Sequence, residues 1–180
     1  MILHVLTLIS EGFFWFLPAG IANMVPVIAA KIPVLKHWDA PVDGKKTWLN
    51  RRILGDHKTW RGLCVGVLAA IITAYIQHHY FSKILPFPYL NPFLVGFLQG
   101  VGALGGDMVK SFFKRHMNIH SGKTWFPWDQ LDYILGGFIA ISLIIQPAPD
   151  LLIATAIIYF ILHLTISFLG YKLKFKLTPI

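Results

Sequence analysis

The chain has 180 residues, 56% of them hydrophobic and only 13% charged, against roughly 25% charged in a soluble domain. That balance excludes a water-soluble globule and points to an all-α, polytopic integral membrane protein. The formal charge of +8 says less than where the charges lie, because position along the chain sets orientation in a membrane.

With about 20 apolar residues per crossing, five membrane segments are expected. The first lies within Ile2–Ala30 and is interrupted by Glu11, Gly12, Pro18 and Pro26, so it reads as a kinked helix or as one crossing plus a re-entrant turn. The second, Leu63–Tyr80, is uninterrupted. The third starts near Pro92, runs through FLVGFLQGVGALGG and continues as helix past the membrane. The fourth covers about Tyr133–Ile145, and the fifth Leu151–Leu169, closed by a basic tail. Trp15, Trp38, Trp125, Trp128, Tyr133 and Tyr171 fall near segment ends and read as interfacial anchors. Two long polar connections, 31–62 and 105–132, separate these segments. Fifteen of the sixteen basic residues then share one side, with only Lys83 opposite. The positive-inside rule puts both long loops and the C-terminus in the cytoplasm and the N-terminus outside.

A single membrane-embedded domain over 1–180 is expected, since no stretch between the segments could build its own core. The lone cysteine, Cys64, lies in an apolar run and reads as a small buried hydrophobe. The N-terminus is apolar without a basic leader or small-residue cleavage site, which suits an anchor that stays in place.

Several motifs fail on context. Gly100-Val-Gly102-Ala-Leu-Gly105 matches a dinucleotide fingerprint, but no strand precedes it, so its glycines read as helix-packing positions. Gly122-Lys123-Thr124 ends like a P-loop but lacks the first glycine. His78-His79 are adjacent rather than four apart. His116 and His120 have helical spacing but no acid or cysteine to complete a zinc set.

What remains is a pair of clusters on the cytoplasmic side. In Gly105–Asp132, helical spacing sets Asp107, Lys110, Ser111 and Lys114 on one face, and Asp129 and Asp132 on another. The stretch Arg51–Gly62 adds Asp56, His57, Lys58, Thr59 and Arg61. Acids beside lysines at a membrane boundary are costly unless paired or metal-bound. The set offers cations for anionic oxygens, carboxylates for a hard metal and no evident general base. That suits a nucleophile already anionic at neutral pH, such as a phosphate.

GD-x-x-K-S-x-x-K-R from Gly106, P-x-D-x-x-D from Pro127, the upstream RRILGDHKTWRG and Pro18-Ala-Gly-Ile-Ala-Asn23-Met-Val-Pro26 together resemble the CDP-archaeol synthase family. That family is a small branch of the membrane CDP-lipid synthases. The resemblance implies a CTP-dependent cytidylyltransferase acting on an archaetidic-acid-like lipid phosphate, with Mg²⁺ as cofactor, in the inner cell membrane. Carried over by residue, it implies Asp107, Lys114, Arg115 and Asp132 as catalytic. Asp107, Asp129 and Asp132 would bind metal, and Asn23, Lys58, Arg61, Lys110 and Ser111 would bind substrate. It departs from the diacylglycerol branch in lacking a G-H-G-G insert after Pro127 and in carrying Gln130 where that branch has arginine. Phosphatidate cytidylyltransferase activity, or a transporter or scaffold without catalysis, stands as the alternative. No nucleic-acid partner is implied, and a homodimer is left open.

Overall fold

The computed structural model describes residues 2–119 and 123–174, and it is helical as expected. The elements run α1 (Ile2–Trp15), α2 (Leu17–Ala29), α3 (Pro33–Lys36), β1 (Thr47–Trp48), β2 (Arg51–Arg52), α4 (Trp60–Phe81), α5 (Pro92–His116), α6 (Trp128–Ile141) and α7 (Pro149–Lys172). Helices α4, α5 and α7 have 22, 25 and 24 residues and are apolar enough to cross a membrane. At about 1.5 Å per residue they cover the roughly 30 Å hydrocarbon core.

The first expected segment is a broken one. Helices α1 and α2 meet at a 44° bend, which redirects the chain without turning it back. Pro18 has no N–H to give the Phe14 carbonyl, so the hydrogen-bond ladder opens at this point. In a membrane each freed carbonyl needs a partner from elsewhere. Tyr159 Oη donates to Phe13 O at 2.7 Å, the Gln77 amide donates to Phe14 O, and Gln99 Nε2 donates to Trp15 O at 2.9 Å. Trp15 Nε1 in turn donates to Thr155 Oγ1 at 2.8 Å. Trp15 and Tyr133, expected as interfacial anchors, are therefore core residues, 4% and 3% exposed. Their polar atoms are satisfied inside the bundle.

Helix α6 is shorter than its expected segment. It ends at Ile141, where Ser142 turns the chain and bonds back to Ile139 O at 2.7 Å. Its 14 residues reach only about 21 Å. Cys64 is exposed rather than buried, on the outward side of α4.

Helix α5 is the centre of the bundle and packs on α4 and α6 through opposite faces. A Cβ at Gly96 would come within 2.5 Å of Ile71 Cα, and one at Gly100 within 3.1 Å of Val67 Cα, both on α4. On the other face, a Cβ at Gly102 would lie 2.5 Å from Gly136 O. The false dinucleotide motif is thus a packing device, except for Gly105, whose Cβ would meet nothing within 4 Å. Replacing Gly136, where a Cβ would fall 2.1 Å from Gly102 O, should therefore wedge α5 from α6. Gly136→Leu is expected to lower stability by about 3 kcal/mol or more. Gly105→Ala should be neutral or stabilising by up to about 1 kcal/mol. Thermal melts of the two purified variants in detergent check both.

Candidate active site

Three pieces of chain deliver charge to one place. Helix α5 presents Asp107, Lys110 and Lys114 at three- and four-residue spacing, and α6 presents Asp129 and Asp132 from its first turns. The loop before α4 supplies Lys58. Lys110 is the hub. Its Nζ lies 3.1 Å from Asp107 Oδ1, 3.0 Å from Asp129 Oδ1 and 2.8 Å from Asp132 Oδ2. Lys114 Nζ binds both Asp129 oxygens, at 3.0 and 2.9 Å, and Lys58 pairs with Asp107. Three carboxylates are thereby matched by three ammonium groups, as partly buried charges require.

This cluster forms part of the wall of a cavity of about 1180 Å³. Asn23, Lys58, Arg61, Asp107, Lys110, Lys114, Asp129 and Asp132 all line it, together with His57 and Lys123. Two expected site residues do not. Ser111 shares the α5 face by spacing but is buried in the packing, 6% exposed, and off the cavity wall. Arg115 turns under the preceding loop, with its Nε 3.5 Å from where a Gly55 Cβ would be, and donates to Ile119 O at 3.4 Å. It is a loop support rather than a cavity residue.

Other polar groups have structural partners. Arg61 lines the cavity but donates Nη1 to Leu35 O and Lys36 O at 3.0 and 3.3 Å, holding α3 in place. The Thr59 hydroxyl caps α4 by accepting from Gly62 N at 3.2 Å. His116 packs against the stacked rings of Trp48 and Phe112, with Nδ1 on Phe112 O at 2.8 Å. His120 and Gly122 lie outside the described residues.

The long first loop carries more order than its polarity suggests. Asp43 is its nucleus, with a side chain only 1% exposed. It accepts from the backbone N–H of Lys45 (3.0 Å), Leu54 (3.0 Å) and Gly55 (3.3 Å), and from Arg52 Nη2 at 2.9 Å. Strands β1 and β2 pair antiparallel above it, Thr47 opposite Arg52, around Leu49 and Asn50 at φ 50° and 59°. The loop base is closed by Val42 N to Lys58 O at 2.8 Å and Trp60 N to Ala40 O at 3.0 Å. These bonds hold the Lys58 backbone where its side chain reaches Asp107. Asp43 escaped notice in the sequence because an aspartate before a Gly-Lys turn resembles any solvated loop acid.

The donors fit a hard divalent cation. One oxygen from each of Asp107, Asp129 and Asp132 falls within 3.1 Å of a single point, at which Lys110 Nζ sits. Magnesium binds carboxylate oxygens at about 2.0–2.1 Å, so a metal at this point requires Lys110 to swing aside. As the side chains stand, no group of three such ligands among the described residues is closed to metal-binding geometry.

Burial pushes the Asp43 carboxyl up, but the bonds from Leu54, Arg52, Gly55 and Lys45 outweigh it and hold the group below the ordinary carboxylate value of 3.8. A depressed folded value means the stabilisation is complete above about pH 4 and is lost as pH falls through the lowered value. The Leu54 and Gly55 amides should thus stay protected from hydrogen exchange at pH 6 and lose protection in strong acid. In Asp43→Asn they should exchange at least tenfold faster at pH 6, read by mass spectrometry.

The chain matches the CDP-archaeol synthase (CarS-like) family over residues 5–179. It is 38% identical over 148 residues to the CDP-archaeol synthase of Methanospirillum hungatei, covering 77% of this chain and 89% of the relative. It is 36% identical over 177 residues to that of Pyrococcus furiosus, covering 95% and 98%. A solved structure, described as an intramembrane enzyme for archaeal membrane lipids biosynthesis, superposes with a TM-score of 0.74 at 32% identity, over 88% of this chain and 94% of that one. With this likeness along nearly the whole chain and a charged cavity beside membrane-length helices, the protein belongs to the CDP-archaeol synthase family of membrane nucleotidyltransferases.

Proposed function

We propose that this chain transfers the cytidylyl group of CTP to an archaetidic-acid-like lipid phosphate, an isoprenoid-ether glycerol phosphate. The products are a CDP-lipid for phospholipid biosynthesis and pyrophosphate. The observation that carries the reading is the convergence of Asp107, Asp129 and Asp132 on Lys110 in the wall of a cavity between polar loops and membrane helices. At about 1180 Å³ the cavity exceeds the roughly 300–1,000 Å³ of ordinary ligand sites, in keeping with two substrates.

A phosphate monoester has its second pKa near 6, so its attacking oxygen is anionic at neutral pH and needs no general base. That oxygen bonds to the α-phosphorus of CTP. The bond from the α-phosphorus to the α,β-bridging oxygen breaks, and pyrophosphate leaves with the electron pair. The obstacles are repulsion between two anions and charge building on the leaving group. Lys58, Lys110 and Lys114 answer both by exchanging carboxylate partners for phosphate oxygens. Asp107, Asp129 and Asp132 would hold Mg²⁺, which supplies further neutralisation of the triphosphate. Asn23 contributes a neutral polar contact, and Arg61 keeps α3 against the cavity.

We place the loops 31–62 and 105–132 and the C-terminal end in the cytoplasm, where CTP is found, and the N-terminus across the membrane. The protein works as one multi-pass domain of the cell membrane. The distribution of fifteen of sixteen basic residues supports this orientation.

The test is CDP-lipid formation by purified protein with labelled CTP, Mg²⁺ and a panel of ether- and ester-linked lipid phosphates. Wild type should give CDP-lipid and pyrophosphate in equal amounts, fastest with the isoprenoid ether, and stop when Mg²⁺ is chelated. Asp107→Ala and Asp132→Ala should each lose on the order of 100-fold or more in kcat. Undiminished turnover in both variants removes the site assignment, and no product with any lipid phosphate removes the function.

A further inference from the structure

Gln130 stands between two of the site's acids and does not share their partners. Its side chain is 0% exposed and lines the cavity. Among the described residues, neither Oε1 nor Nε2 has a hydrogen-bond partner. A buried amide left this way is costly, and each such group in a folded protein calls for an explanation. Gln77 and Gln99, the bundle's other buried glutamines, each donate to a carbonyl freed at the α1–α2 break.

The place of Gln130 indicates what it meets. Helical residues advance by about 100°, which turns Gln130 well away from the Asp129 and Asp132 directions. Two turns further along its own face, Gly137 lies against Phe16, the residue that precedes α2, and Ala19 of α2. Asn23, one turn past Ala19, lines the same cavity. This is the membrane side of the site. Helix α2 exposes Met24 and Ile28, while its Val27 lines the cavity, and α7 packs chiefly on α1 and α6. The polar loop carrying Asp39, His57 and Lys58 supplies another part of the lining. A nucleotide comes from the loop side and a lipid from the side of α2.

We infer that Gln130, together with Asn23, holds the glycerol oxygens of the lipid phosphate and so positions its phosphate against the Lys110 cluster. The inference rests on the lipid-phosphate reading above. Ether or ester oxygens next to a glycerol phosphate only accept hydrogen bonds, and an amide N–H is a donor. A neutral donor also suits a wall facing hydrocarbon, where an unpaired cation would cost far more to bury. Gln130 is thus a positioning residue that touches the lipid and takes no part in bond making.

The test is steady-state kinetics of Gln130→Met, close in shape but unable to hydrogen-bond. The KM for the lipid phosphate should rise roughly tenfold, the worth of one good hydrogen bond. The KM for CTP and kcat should stay within about twofold. The thermal midpoint should hold or rise, because an unpaired buried amide has been removed. Gln130→Asn, which withdraws the amide by one methylene, should show the same lipid-selective rise and serves if the methionine variant does not fold. An alkyl monophosphate without glycerol should inhibit wild type and variants equally. A rise in the CTP KM alone would assign Gln130 to the nucleotide and overturn the inference. Unchanged KM for both substrates would make the residue structural and overturn it too. If wild type forms no CDP-lipid, the reading of the activity itself fails, an outcome distinct from these.

Discussion

Three carbonyl oxygens, those of Phe13, Phe14 and Trp15, set the terms for the rest of the fold. A helix broken inside a membrane must find donors for the groups it frees, because hydrocarbon offers none. Here the donors come from three different helices: Tyr159 on α7, Gln77 on α4 and Gln99 on α5. The break is therefore the meeting point of the bundle. Tyr133 on α6 joins the same network by donating to Tyr159 O at 2.9 Å. Since α2 leaves the break at 44° to α1, it can pack on α4 and α5 along the half of the bundle that holds the cavity.

The second constraint is the closeness of α5 and α6. Glycines at 102, 106 and 136 let the two backbones approach, and that approach brings acids from one helix to a lysine on the other. Small residues alone would permit other registers. Lys110 favours one, because only there do Asp107, Asp129 and Asp132 all lie within 3.1 Å of its ammonium group. Packing and ion pairing thus select the same arrangement. A fully paired set of charges is also one that can be re-partnered: phosphate oxygens can replace carboxylates around the lysines without a bare charge appearing in a low-dielectric site.

Much of this was legible in the sequence, for reasons that also explain what was not. Helical spacing put Asp107, Lys110 and Lys114 on one face and Asp129 with Asp132 on another, and the structure brings the two faces together. Spacing defines a face only to within a broad sector, however, and does not say which neighbour covers its edge. Ser111 and Arg115, one turn apart, lie toward the same edge of the α5 stripe. One faces the packing and the other the loop, so both were read into a site they do not line. Composition marked the first segment as interrupted, but the partners of its freed carbonyls lie up to 146 residues away. The order around Asp43 and the hub role of Lys110 depend on side chains from distant elements. Trp15 and Cys64 were misplaced because an apolar run looks the same on its core and lipid sides.

One contact ties these themes together. A Cβ on Gly106 would fall 2.1 Å from the carbonyl oxygen of Asp132, so the acid's own backbone occupies the space a side chain at 106 would need. Position 106 carries no chemical group, yet any residue there displaces a carboxylate of the cluster. In a saturation survey of this chain, a bare glycine would score as one of the active-site residues. The contact is to main chain, so the demand for glycine at 106 holds whatever side chain stands at 132.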